Sequence, residues 1–266
     1  MSRTSQGGLA MLPADNELDL TPVADCSACQ FRDSLLLDAG CKPGDCCVSA
    51  NSGRQIDRFF KVHPGLAADF TQDSFWERRA IAARYLPTNK LQPLLTDPDE
   101  AVRRVLAYRV PLDWLTLLSN DSDREVRITV ADRLPEPELE SMAADPDYLV
   151  RVYVARRLPQ GRLFRLVADP DSEVRRIVAT RIPRVSLGLM AHDSEVEIRR
   201  IVVQRMDVDD LAMMSKDSDW TVRYEVALRA KADLLLDMLD DTDAEVRLTV
   251  EQRLPTLILM AESHEH

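Results

Sequence analysis

Residues 97–111, DPDEAVRRVLAYRVP, return as DSDREVRITVADRLP at 121–135, as DPDYLVRVYVARRLP at 145–159 and as DPDSEVRRIVATRIP at 169–183. Each copy begins 24 residues after the last, and three further copies start at Asp193, Asp217 and Asp241. A fixed period of this length marks a stack of like units, none of which can bury its apolar face alone.

Counted from its first Asp, each unit places an aliphatic residue at position 6 (Val102, Val126, Val150, Val174, Ile198, Val222, Val246) and another at position 10 (Leu106, Val130, Val154, Val178, Val202, Val226, Val250). That spacing is one face of a helix, and position 14 extends it. Position 11 is mostly Ala, which lets neighbouring helices approach closely. The second acid of each D-x-D pair (Asp99, Asp123, Asp147, Asp171, Glu195, Asp219, Asp243) is placed to cap the helix N-terminus. Pro111, Pro135, Pro159, Pro183 and Pro255 are placed to end it, because proline lacks the N–H and pushes the residue before it out of the helical region. The remainder of each unit carries Leu at position 19 and, in the first six, Leu or Met at position 22, a spacing of three that suits a short, tight 3₁₀ helix. The chain is therefore expected to be an all-α solenoid. Its front units, 49–72 and the DSFWERRAIAARYLP segment from Asp73, keep the length but loosen the pattern, as terminal caps of an array do.

Arginine occupies position 7 (Arg103, Arg127, Arg151, Arg175, Arg199, Arg223, Arg247) and position 13 (Arg109, Arg133, Arg157, Arg181, Arg205, Arg229, Arg253) of every unit. The structural expectation is that the Asp columns offset the repulsion between stacked arginines, and that position 13 sets a cation at the negative end of the helix. The functional one is a cationic groove for phosphate or acidic protein. A formal net charge of −11 disfavours nucleic acid as the partner. The D-x-D loops lack the Gly and the ligand number of calcium loops.

All five cysteines lie in CSACQFRDSLLLDAGCKPGDCCV, residues 26–48. Such clustering predicts a metal centre rather than a disulfide framework. Cys26 and Cys29 form a C-x-x-C loop, and a turn at Pro43 and Gly44 can fold Cys41, Cys46 and Cys47 back toward it. One of the vicinal pair Cys46 and Cys47 is expected to be a spare. Spacing alone leaves zinc and an iron–sulfur cluster open. Just downstream, SGRQIDRFF offers a capping box from Ser52 to Gln55 and an apolar edge of Ile56, Phe59 and Phe60.

The repeat D-x-D-x-x-V-R-x-x-V-A-x-R-L-P behind a C-x-x-C…C-x-P-G-x-x-C-V-x₄-S-G-R-Q-I-D-R-F block resembles the leucine-rich repeat variant (LRV) proteins with an iron–sulfur domain, from about Cys26 to the end. The resemblance implies alternating α and 3₁₀ helices in a right-handed superhelix and a [4Fe–4S] cluster, with Cys26, Cys29, Cys41 and Cys47 as ligands and Cys46 left over. It also implies a link to nitrogen-fixing bacteria but no established activity. The corresponding division is a flexible tail over 1–21, a cluster domain over 22–64 and a repeat domain over 65–266.

No phosphate loop and no nucleophile pairing accompany the four histidines (His63, His192, His264, His266), so no enzyme is expected. The expected function is a non-enzymatic interaction scaffold for a protein partner, with the cluster structural or redox-sensing. The alternatives are an electron-transfer module and redox-linked nucleic-acid binding through the repeat arginines. Absence of a secretory signal or a membrane span predicts a cytoplasmic protein.

Overall fold

The computed structural model describes residues 23–264, with side chains to 255. The tail expected over 1–21 and the side chains of His264 and His266 lie outside the described residues. The described chain is helical, with a single isolated β-bridge between Lys42 and Cys46. It divides into two compact units, one ending at Lys90 and one beginning at Leu91. The first thus holds the cysteine segment together with the helices Gly53–Val62 and Trp76–Tyr85, well beyond residue 64.

In the second unit the expected helices are Glu100–Arg109, Arg124–Arg133, Tyr148–Arg157, Ser172–Arg181 and Val196–Arg205, each 10 residues long, followed by Trp220–Ala227. Their ends follow from the sequence. The residue before each proline is extended, with ψ of 152° at Val110 and 141° at Leu134. Met206 ends its helix in the same conformation with no proline after it, so packing alone suffices there. The linking segments are 3₁₀ at Gln160–Leu166, Arg184–Met190 and Val208–Met214, and mixed at Leu112–Leu115 with Thr116–Leu118. Their Leu at position 19 is fully buried from Leu115 to Leu235, as are the position 6 and position 10 residues of the helices. One continuous apolar core runs along the array, and the small residue at position 11 (Ala107, Ala131, Ala155, Ala179) sits within it.

The arginines close the junctions between repeats. Six of the seven position 7 guanidinium groups fork onto the first Asp of the next repeat: Arg103 on Asp121, Arg127 on Asp145, Arg151 on Asp169, Arg175 on Asp193, Arg199 on Asp217 and Arg223 on Asp241. The Arg151 fork measures 2.7 Å from Nε and 2.9 Å from Nη2. Nη1 meanwhile donates to the carbonyl of the first Asp of its own repeat, Asp145 for Arg151 at 2.8 Å. The planar guanidinium suits both tasks, which an ammonium could not perform together. Position 13 reaches the other way. Arg133 donates to the carbonyls of Ala107 and Val110, and Arg253 to those of Ala227 and Ala230, satisfying carbonyls at the end of the preceding helix. In the first unit Tyr85 stands at this position, and its hydroxyl donates to the Asp57 carbonyl at 3.2 Å.

Three expectations need correction. Asp99, Asp123, Asp147, Asp171, Asp219 and Asp243 cap as expected, but Glu195 makes no cap bond to Val196–Arg205, its extra methylene carrying the carboxylate past the amides. Pro255 does not end its helix, which runs Ala244–His264. Among the described residues no further repeat helix follows to hold the chain in the extended break seen at Val110. The third, the capping box at Ser52, concerns the cysteine unit and is described below.

Asp121 shows how the junctions bind pH to stability. Burial pushes its carboxyl up, but the hydrogen bond from Arg103, the Asp123 amide and the charges of Arg103 and Arg127 outweigh that and hold it below the usual range. Asp241 is held low first by the hydrogen bond from Arg223, against burial. A depressed native pKa contributes stability that is complete above the unfolded value near ~3.9 and is lost as pH falls toward the native value. The denaturation midpoint should therefore stay level above about pH 5 and fall steeply below about pH 4. At neutral pH, Arg151→Ala should cost about 3–5 kcal/mol in denaturant titrations, because it strands a carboxylate only 3% exposed. Arg124→Ala, at a side chain 54% exposed, should cost less than about 0.5 kcal/mol. Glu195→Asp should gain about 0.5–1 kcal/mol by restoring the cap.

Candidate metal centre

The cysteine segment has little regular structure, and its shape is set by a few backbone bonds. Cys29 N–H donates to the Cys26 carbonyl at 3.2 Å, closing the C-x-x-C turn. Residues 42–46 form a tight reversal in which the Asp45 and Cys46 amides both donate to the Lys42 carbonyl and the Lys42 amide donates to Cys46. Pro43 suits the first corner of this turn, and Gly44 supplies the second with φ +88°, a conformation L side chains avoid.

Gln55 anchors that reversal. Ser52 makes no side-chain cap to the Gly53–Val62 helix, so the expected capping box is absent. Gln55, fully buried, turns instead to the cysteine loop: its Nε2 donates to the Gly44 carbonyl at 3.1 Å, and its own carbonyl accepts from the Cys47 amide at 3.2 Å. A carbonyl inside a tight turn needs a donor when it is buried, and this demand outranks a solvent-facing cap. His63, the residue that directly follows the same helix, reaches the Gly40 carbonyl at 2.6 Å and packs its ring at a tilt against Phe59. The aromatic edge is packing, as expected, with Phe59 and Phe60 fully buried and clustered with Phe31 and Phe70.

These restraints bring Cys26, Cys29, Cys41 and Cys47 onto the wall of one pocket, shared with Phe31, Leu36, Val48, Phe59 and the cation Arg32. Cys46, the fifth cysteine, is not in that wall. All five are free thiols, and Cys47 is the most enclosed, 4% exposed. Their electrostatics report the crowding. Burial pushes the Cys41 thiol up, and the neighbouring Cys47, Cys29, Cys26 and Cys46 push it further. Cys47 is raised by burial against the opposing pull of the Ser49 and Ala50 amides, which donate to its sulfur. The Ser49 hydroxyl donates to Cys29 Sγ at 3.2 Å. Four thiols that repel one another as anions, yet carry N–H and O–H donors aimed at sulfur, fit a polycationic guest that reverses the repulsion.

Thiolates on one zinc ion must each lie about 2.3 Å from a common point. Among the described residues no three Cys, His, Asp or Glu side chains converge in that way. The four thiols instead ring a cavity with apolar walls, which suits a multi-iron cluster shielded from water. The roles of Gln55 and Ser49 were not foreseen from sequence. Their only signal was position, three residues into a helix and two residues past Cys47.

Comparison with known proteins bears directly on this centre. A family model described as the LRV protein FeS4 cluster matches residues 22–69, and one described as the leucine rich repeat variant matches 124–147 and 148–171. A solved structure described as a leucine-rich repeat variant with a novel repetitive protein structural motif is 56% identical, with a TM-score of 0.78 over 88% of this chain and 100% of that one. An uncharacterized 27.7 kDa protein in the nifB 3' region of Rhodobacter capsulatus is 38% identical over 95 residues, so that the match spans 35% of this chain and 38% of that relative's length. The cofactor of this segment is a [4Fe–4S] cluster.

If the reversal depends on Gln55, Gln55→Ala should leave the repeat array cooperative while weakening the cysteine unit by about 1–3 kcal/mol. Faster loss of the cluster's visible absorbance to a chelator would register that change. Gly44→Val should act in the same direction through its backbone.

Proposed function

The chain belongs to the leucine-rich repeat variant family and carries its iron–sulfur domain, and from that premise we propose a non-enzymatic interaction protein whose cluster answers to redox state. Cys26, Cys29, Cys41 and Cys47 are the ligands, and Cys46 is the spare. The observation that carries the assignment is the shared pocket wall, which includes those four sulfurs and omits Cys46. The cluster supplies one-electron chemistry when bound. The residues around it hold thiolate charge, exclude water through Phe31 and Phe59, and tie the ligand loops to the Gly53–Val62 helix.

That tie is what makes a sensing role physically reasonable. Loss of the cluster would remove the bonds that join the four cysteines and leave loops whose other fixings are a few single hydrogen bonds, so the cysteine unit would loosen while the array stays folded. The array supplies the scaffold on which a protein partner is recognised. Nucleic-acid binding through the arginine columns has less support, because the position 7 forks already hold buried carboxylates. A cytoplasmic location is part of the proposal. Among the described residues no helix is long and apolar enough to cross a membrane.

Anaerobic purification with iron analysis tests the ligand set. Cys46→Ser should retain about four irons per chain and the visible spectrum, whereas Cys26→Ser, Cys29→Ser, Cys41→Ser and Cys47→Ser should each lose most of both. Capture of partners by the oxidised, reduced and Cys47→Ser proteins tests the sensing role. A partner set that changes among the three supports it, and identical sets would remove it.

A further inference from the structure

The turn that joins Cys41 to Cys46 has a second side. On its outer surface Lys42, Gly44 and Asp45 line a hollow of about 490 Å³ together with Arg54 and Arg58 of the Gly53–Val62 helix. Among the described residues three cations face one carboxylate there, and Arg58 is paired with Asp45. Lys42 is exposed, and its ammonium forms no ion pair among the described residues. Such a basic hollow stands out on a chain of net charge −11. It stands, moreover, on the backbone that carries the thiols: Lys42 directly follows Cys41, and its amide and carbonyl hold Cys46.

We propose that this hollow is the docking surface for an acidic protein partner, placed so that the partner's carboxylates meet Lys42, Arg54 and Arg58 one residue from a cluster ligand. It rests on the reading that the cluster answers to a partner, and it names the partner's chemistry and place of contact. A local positive field on an acidic molecule selects by orientation: approach elsewhere meets like charge, and approach here meets opposite charge. An acidic protein fits better than nucleic acid. Affinity for a phosphate backbone grows with the number of phosphates neutralised, and this hollow has only three cations, of which Arg58 is already paired with Asp45.

The test uses the cluster-loaded full chain. A dye-labelled poly-glutamate peptide, an oligonucleotide of the same charge and inorganic phosphate are each titrated against oxidised protein by fluorescence anisotropy or competition. The peptide should bind in low salt, weaken with added salt, and weaken roughly tenfold in Lys42→Glu combined with Arg54→Gln. Iron content and visible spectrum show that the variant keeps its fold, and Lys42→Glu alone should give a smaller shift in the same direction. An unaffected peptide, a tighter oligonucleotide, or a phosphate ion that displaces the peptide at equal charge would each overturn the proposal.

A kinetic arm asks whether the hollow faces the electron path. Dithionite-reduced protein is mixed with anionic trisoxalatocobaltate(III) or cationic hexaamminecobalt(III); one electron leaves the cluster and Co(III) becomes Co(II). Net charge alone favours the cation. The hollow predicts a rate for the anion that falls several-fold in the Lys42→Glu variant, and a variant without effect on either rate overturns the placement. If the cluster cannot be reduced reversibly, the redox reading falls, and the peptide titration still decides the docking surface.

Discussion

A guanidinium enclosed between two repeats must be matched by a carboxylate at a fixed place, and the array is organised around that demand. The first Asp of each repeat answers it three times. The carboxylate of Asp169 accepts both arms of Arg151, one of its oxygens also accepts the Asp171 amide at 2.9 Å, and its carbonyl accepts from Arg175. Glu would place the carboxylate a methylene too far to serve the amide two residues on, and Asn would bring a donor where Arg151 needs an acceptor. The 24-residue period is the length that returns this residue to the same relation with its neighbour's arginine. Hydrophobic burial supplies the drive for stacking, but it is indifferent to small slips. The paired forks are not, because a displaced repeat would strand both charges in a nearly dry site.

The cysteine unit solves a related problem with different groups. Its loops contribute almost no regular hydrogen-bond ladder, so individual buried carbonyls have to be satisfied one at a time. Gln55 takes Gly44 and His63 takes Gly40. Both acceptors lie in the segments flanking Cys41 and Cys46, so the helix Gly53–Val62 determines where the thiols stand. The donors aimed at Cys29 and Cys47 then offset part of the charge those sulfurs carry as thiolates.

The repeat was legible because its signal is repeated. One Val every 24 residues is weak evidence, and seven in register are decisive. Helix limits, Asp caps and the short linking helices followed from local rules that act within a few residues. The structural expectation for the arginines was sound in kind, though their partners were not identifiable, since Arg103 and Asp121 are separated by 18 residues and meet only once two repeats stack. Glu195 and Pro255 depart from expectation for a shared reason: a residue type carries the average behaviour of its position, whereas the cap and the break depend on side-chain reach and on what packs next. Ser52 and Gln55 fit a capping pattern, and tertiary demand redirected Gln55 to Gly44.

Formal charge also changes meaning once the fold is known. The position 7 arginines cancel against their Asp partners inside the junctions. Six of the position 13 arginines turn to backbone instead: Arg133, Arg157, Arg181, Arg205, Arg229 and Arg253 donate to carbonyls of the preceding repeat. Burial even lowers the pKa of Arg205 and Arg253, though a guanidinium stays charged throughout the ordinary pH range. Cations counted in the total of −11 are thus held within the array, and the face it offers to water is more acidic than the count suggests. Against that background the exposed Lys42, Arg54 and Arg58 differ in kind from the repeat arginines. They line the outer side of the turn that joins Cys41 to Cys46, so their field is set beside the thiols and not inside a junction between repeats.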